Sequence, residues 1–171
     1  MIRKKICMLG AYSVGKTSLV QRFVNNRFPR RYQSTIGVMI DKKIVNLAET
    51  EVYLMLWDIY GQDEFRNVQT SYLAGAAGYL LVADGTREDT LDTAVTLRER
   101  VEAEVGRLPF VLALNKWDLR EQWKIRRKAL ERLLKDGWSV VRTSARTGDG
   151  VEDMFLRLTS RILESSSGKG S

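Results

Sequence analysis

An α/β three-layer sandwich, with a mostly parallel six-stranded sheet and helices on both faces, is the fold this 171-residue sequence predicts. Two observations carry the prediction. Short apolar runs of about five residues alternate with stretches of helical period. A glycine-rich loop follows the first of those runs directly.

In chain order, Ile6–Leu9 is the first run, and it ends at Gly10. Residues 40–47 suit a more exposed strand, in which Ile44 and Leu47 are flanked by Lys42, Lys43 and Asn46. Val52–Trp57 and Tyr79–Ala83 follow as buried strands. From about 88 to 106, Leu91, Ala94, Val95, Arg98, Val101 and Val105 form one helical stripe, with Arg98 its only charged position. Phe110–Leu114 is another strand, 122–135 reads as a strongly basic helix, and Ser139–Thr143 is a shorter strand. Val151, Met154, Phe155, Leu158 and Ile162 keep the spacing of a last helix with one buried face. Residues 1–164 therefore read as one domain, and the Ser/Gly-rich residues 165–171 as a disordered tail.

Composition narrows the function classes. An apolar fraction of 44% excludes wholesale disorder. No histidine and a single cysteine, Cys7, exclude a structural zinc site and a His-dependent triad. A lone cysteine in an apolar run fits a reducing, cytoplasmic setting, and no stretch approaches the roughly 20 apolar residues of a membrane span. The formal charge of +7 is uneven. The first forty residues carry eight basic side chains and no acid, leaving 20 basic against 21 acidic side chains elsewhere.

Gly10-Ala11-Tyr12-Ser13-Val14-Gly15-Lys16-Thr17 is G-x-x-x-x-G-K-[ST] between a strand and a helix. Its glycines let the backbone curl so that successive N–H groups point at phosphate oxygens, and Ser13, Val14, Gly15, Lys16, Thr17 and Ser18 are the candidates for those contacts. Lys16 adds charge for the β- and γ-phosphates, and the Thr17 hydroxyl suits Mg²⁺. Asn115-Lys116-Trp117-Asp118 ends a strand at the edge where α/β sheets bind ligands. The Asp118 carboxylate can accept from guanine N1–H and the 2-amino group. Adenine lacks both donors and would leave it unpaired. Ser144, Ala145 and Arg146, after the last strand, suit the other side of the base.

This ordered set, with Thr35 and Asp58–Gln62, resembles the Ras superfamily of small GTPases. The nearest likeness is to the Rab branch, through Tyr32–Gly37 and Trp57-Asp58-x-x-Gly61-Gln62-x-x-Phe65, continued by Tyr72, Gly75, Gly78 and Asp84. The resemblance implies a P-loop G domain that binds GTP or GDP with Mg²⁺, hydrolyses GTP and switches the binding of effectors, activating proteins and exchange factors. It implies that Phe28 stacks edge-on against guanine, that Thr35 binds Mg²⁺ and the γ-phosphate, and that Asp58 holds Mg²⁺ through water. It implies that Gly61 donates its N–H to the γ-phosphate and that Gln62 orients the attacking water, beside the charge supplied by Lys16.

The sequence also departs from the family. Tyr12 and Ser13 stand where the family usually has small residues, and Ile59 and Tyr60 replace a threonine and an alanine. Bulky phenols beside the place of water and a partner's arginine point to slow unassisted hydrolysis. A nucleotide-locked scaffold without turnover is the alternative. No cysteine follows Cys7, so either a lipidated tail has been removed or the protein is not lipid-anchored, and a Rab-like membrane role does not carry over. An ATP-dependent enzyme is disfavoured by Asn115–Asp118. Nucleic-acid binding has only the cluster Lys124, Arg126, Arg127 and Lys128 behind it, which reads as a solvated helix face. Arg22, Arg27, Arg30 and Arg31 suggest instead a basic face for an acidic partner.

Overall fold

A computed structural model of the chain describes residues 1–26, 37–60 and 70–168. Its strands are β1 (Ile2–Gly10), β2 (Gly37–Leu47), β3 (Thr50–Tyr60), β4 (Gly78–Asp84), β5 (Phe110–Asn115) and β6 (Val140–Arg142). The helices are α1 (Lys16–Asn25), α2 (Thr70–Leu73), α3 (Asp89–Val105), α4 (Arg127–Lys135) and α5 (Val151–Ser167). The sheet order is β2-β3-β1-β4-β5-β6, parallel throughout except for the antiparallel β2–β3 pair.

Apolar runs without alternation become central strands because both of their faces are covered. Along β1, Ile6 and Met8 enter one core while Cys7 and Leu9 enter the other. The same division splits β4, where Leu80 and Val82 face Tyr79, Leu81 and Ala83 across the sheet. It also splits β5, with Val111 and Ala113 on one side and Leu112 and Leu114 on the other. The first core is closed by α1 and α5, where the rings of Phe23 and Phe155 stack at 4.0 Å. The second is closed by α3 and by Leu133 of α4. Full burial of such side chains contributes about 1.5–3 kcal/mol each. β2 lies at the sheet edge, and Ile40 and Ile44 remain exposed there.

The stripe of α5 is buried as the spacing requires. In α3 the fully buried leucine is Leu97, which the stripe reading passed over, and Arg98 borders the core instead. Its guanidinium spans the rings of Phe110 and Trp138 at 5.7 and 5.9 Å and pairs with Glu102 at 3.1 Å. Such a stem over aromatic faces is how a charged residue occupies the border of an apolar stripe.

Two segments differ from the sequence reading. α5 extends through Ser167, where the Ser166 and Ser167 hydroxyls donate to the carbonyls of Ile162 and Leu163, so the helix reaches into the expected tail. The basic helix expected over 122–135 is divided into a 3-10 turn at Trp117–Gln122, an extended Trp123, and α4. The cause is Trp123. Its ring lies flat against Gly85, where an added Cβ would sit 1.9 Å from a ring carbon, and Lys124 N–H donates to Gly85 O at 2.8 Å. Lys124 and Arg126 therefore precede the helix, and Arg126 pairs with Glu88 at 2.9 Å. Gly85→Ala should lower stability by roughly 1–3 kcal/mol through overpacking. Urea unfolding checks this: the same substitution placed on Trp123→Ala should cost far less, and equal losses in both backgrounds would contradict the contact.

Candidate functional site

The parallel strands end together. In register, Gly10 lies beside Val82, Asp84 beside Asn115, and Leu114 beside Arg142, so the segments after β1, β4, β5 and β6 meet at one sheet edge. Residues 10–17 turn there from β1 into α1. Ser13 (φ 61°) and Gly15 (φ 103°) take left-handed backbone, and Gly15 caps α1. Gly10 is needed for space, since a Cβ would stand 2.5 Å from Val82 O.

Three successive carbonyls of this loop are held from outside. Arg87 Nη1 donates to Tyr12 O at 2.9 Å, Lys116 Nζ to Ser13 O at 3.1 Å, and Asn115 Nδ2 to Val14 O at 2.9 Å. Across a trans peptide the C=O and the next N–H point in opposite directions. Anchoring these carbonyls therefore turns the N–H groups of Ser13, Val14 and Gly15 the other way, which builds an anion-binding concavity from backbone alone. Lys16 is buried beside it, with Nζ 3.4 and 3.5 Å from the carbonyls of Gly10 and Ala11. Tyr12 is 42% exposed.

The anchors are themselves held. Asp84, fully buried, pairs with Lys116 Nζ at 2.8 Å and accepts from Thr86 N and Oγ1 at 2.9 and 2.7 Å. Burial alone would raise its pKa, but the hydrogen bonds from Lys116 and Thr86 prevail and hold it below the usual carboxylate value. Because the folded value is depressed, this stabilisation is present above the ordinary Asp pKa and is lost as acid protonates the group. The Thr90 hydroxyl accepts from Asp84 N–H at 2.8 Å and donates to Arg87 O at 2.6 Å, which fixes the turn carrying Arg87.

Thr17 begins the next feature. Its hydroxyl donates to Asp58 Oδ2 at 2.6 Å across from β3. Asp58 is almost wholly buried, and its Oδ1 has no hydrogen-bond partner among the described residues. Burial pushes its pKa up, opposed by the Thr17 bond and the Lys16 charge and reinforced by Asp41. A desolvated carboxylate with one oxygen unmatched, beside a hydroxyl, fits a hydrated divalent cation. No group of three His, Cys, Asp or Glu side chains suited to a metal occurs among the described residues.

On the other side of the loop is a cleft of about 430 Å³ lined by Gly15, Ser18, Asn115, Lys116, Asp118, Leu119, Ala145 and Arg146. Ser144 Oγ donates to Asp118 Oδ1 at 2.8 Å and accepts from Thr147 N–H at 3.1 Å, which orients the carboxylate. Asn115 joins the two halves: as its amide nitrogen holds Val14, its Oδ1 accepts from Thr143 Oγ1 at 3.1 Å and Ala145 N at 3.3 Å.

Gly15, Ser18, Asn115, Lys116, Asp118, Ala145 and Arg146 line this cleft, Ser144 bonds to Asp118 at its wall, and Ser13, Val14, Lys16, Thr17 and Asp58 lie in or against the loop that borders it. Phe28, Thr35, Gly61 and Gln62 lie outside the described residues, as do Arg27, Arg30 and Arg31. Sequence reasoning gave no role to Asp84, Arg87 or Thr143. Asp84 had a usable signal, a carboxylate ending an apolar strand at the ligand edge, whereas Arg87 had none. Arg22, read as part of a partner-facing basic surface, donates instead to the carbonyls of Ala145 and Arg146.

A family model described as the Ras family matches residues 5–164. The Ras-related protein Rab-4 of Dictyostelium discoideum is 35% identical over 161 residues, covering 93% of this chain and 78% of that protein. RabJ of the same organism is 33% identical over 165 residues, covering 95% and 64%. Rab-4B of Rattus norvegicus is 34% identical over 161 residues, covering 93% and 76%.

Proposed function

This chain belongs to the Ras family, as a Rab-like small GTP-binding switch protein, and on that premise we propose that it hydrolyses GTP slowly when unassisted and uses residues 13–18, Asp58, Asn115, Lys116, Asp118 and residues 144–146 for nucleotide and Mg²⁺. The observation that supports this most directly is Asn115, one amide that ties the phosphate loop to the base cleft.

In this reading the inward N–H groups of Ser13, Val14 and Gly15, with Lys16, cradle the β- and γ-phosphates, and Ser18 and Lys116 border the sugar and base. Asp118 accepts from guanine, with Ser144, Ala145, Arg146 and Phe28 enclosing the ring. Thr17, Thr35 and Asp58 (through water) would hold Mg²⁺, which supplies neutralisation of the phosphate charge. Gln62 orients the attacking water and Gly61 donates to the γ-phosphate. Loops carrying Thr35 and Gly61–Gln62 are then ordered by that phosphate and present the effector and regulator surface. No helix among the described residues is long and apolar enough to cross a membrane. We place the protein's action in the cytoplasm.

Tyr12 is exposed on the loop where the family has a small residue, which supports the reading that it obstructs the approach of an activating partner's arginine, worth about 10³–10⁵ in rate. Single-turnover hydrolysis should therefore rise with Tyr12→Gly or Tyr60→Ala, for Tyr12→Gly chiefly in the presence of an activating partner. Unchanged rates in both variants would discard the phenols as the brake. Absence of any turnover in the unaltered protein would favour a nucleotide-locked scaffold.

A further inference from the structure

We propose that Arg22 is a positioning residue for guanine nucleotide retention, holding the back of the loop that closes the base cleft; this rests on the nucleotide reading above. Arg22 lies on α1, the helix that begins at the phosphate loop. Its Nε donates to Ala145 O at 2.8 Å and its Nη2 to Arg146 O at 2.5 Å, two successive carbonyls more than 120 residues away in sequence. The third guanidinium nitrogen, Nη1, reaches Asn26 O at 3.4 Å and Asn26 Oδ1 at 3.3 Å. Asn26 closes α1 in the left-handed conformation and returns its N–H to the carbonyls of Arg22 and Gln21. Every nitrogen of the fork is thus committed, and the side chain is locked at both ends.

The loop it holds is also tied on the cleft side, where Ala145 N–H donates to Asn115 Oδ1 at 3.3 Å and Thr147 N–H to Ser144 Oγ at 3.1 Å. Ser144 N–H donates to Asp149 O, Gly148 N–H donates to Ser144 O, and Ser144 Oγ binds Asp118 on the cleft side. Arg22 is the tether on the opposite side. By the trans-peptide geometry that orients the phosphate loop, fixing the carbonyls of Ala145 and Arg146 also fixes the direction of the N–H groups that follow them. Arg22 thereby connects the helix at the phosphates to the wall at the base, so that loosening it should open the cleft from the base side. A planar fork onto two carbonyls is a task lysine performs incompletely, since its ammonium is a point donor.

The test is release of fluorescent GDP, and of a non-hydrolysable GTP analogue, in the presence of Mg²⁺. Wild type, Arg22→Ala, Arg22→Lys, Ser144→Ala and the Arg22→Ala/Ser144→Ala double variant are compared. We expect roughly tenfold faster release from Arg22→Ala, by the same factor for both nucleotides because the base is common to them, with Arg22→Lys between. The double variant should be slower than the product of the single factors, since both act on one loop. Release from Arg22→Ala within twofold of wild type, or fully multiplicative effects, would overturn the proposal. Should Arg22→Ala not fold, release from Arg22→Lys decides on the same criterion: faster than twofold supports the tether, within twofold removes it. Failure of wild type itself to retain GDP would refute the nucleotide reading, and is seen before any variant is made.

Discussion

Gly15→Ala should reduce GDP affinity by at least about 10²-fold. The residue sits at φ 103°, where a Cβ strains the backbone by roughly 1–2 kcal/mol. That Cβ would also lie 2.3 Å from Asn115 Nδ2, so the amide has to move. Moving it releases Val14 O and loosens the bonds from Thr143 and Ala145 at once, and buried polar groups left unpaired cost about 1–3 kcal/mol each. The two effects together exceed about 3 kcal/mol, hence the factor. Calorimetric titration with GDP and Mg²⁺ measures it. Gly137→Ala is the control, with a similar φ of 88° but open space around the new methyl. Affinity within tenfold of wild type for Gly15→Ala, or an equal loss for Gly137→Ala, would refute the coupling through Asn115.

The coupling explains which parts of the molecule were readable in advance. β1, β4 and β5 announce themselves because a strand covered on both faces needs apolar residues at every position, and that pattern is local. Gly10–Thr17 and Asn115–Asp118 are also local, since a turn of tight backbone and a short base-contacting segment need their residue types at fixed spacing. What supports them is not local. Arg87, Lys116 and Asn115 converge on Tyr12, Ser13 and Val14 only after three strands align, and no spacing in the sequence encodes that. Arg22 was misread for the same reason. A charge count registers a cation, whereas its two carbonyl partners lie across the fold. The division of the basic helix at Trp123 likewise depends on Gly85, a residue from another strand's end.

Asp118→Asn should exchange base preference rather than merely weaken binding. The carboxylate lines the cleft, and its Oδ1 is fixed by the Ser144 hydroxyl. A carboxylate offers only acceptors, which suits the N1–H and 2-amino donors of guanine. An asparagine amide offers one acceptor and one NH₂, so its NH₂ would face the 2-amino group, donor against donor. The 2-amino bond to a charged acceptor, worth about 1.5–3 kcal/mol, is replaced by donor facing donor, and the N1–H bond keeps only a neutral acceptor, which together lower GDP affinity on the order of 10³-fold. Xanthine keeps N1–H but carries an oxygen at position 2, which matches the acceptor and donor of the amide. Its diphosphate should therefore displace GDP from the variant and fail to do so from the wild type. The phosphate loop is untouched by the change, so both nucleotides keep the same grip at that end and the difference isolates the base. Competition of GDP and xanthosine diphosphate against one fluorescent nucleotide gives the answer. If the variant holds GDP within tenfold of wild type, Asp118 does not read the base, and the cleft selects guanine by some other contact.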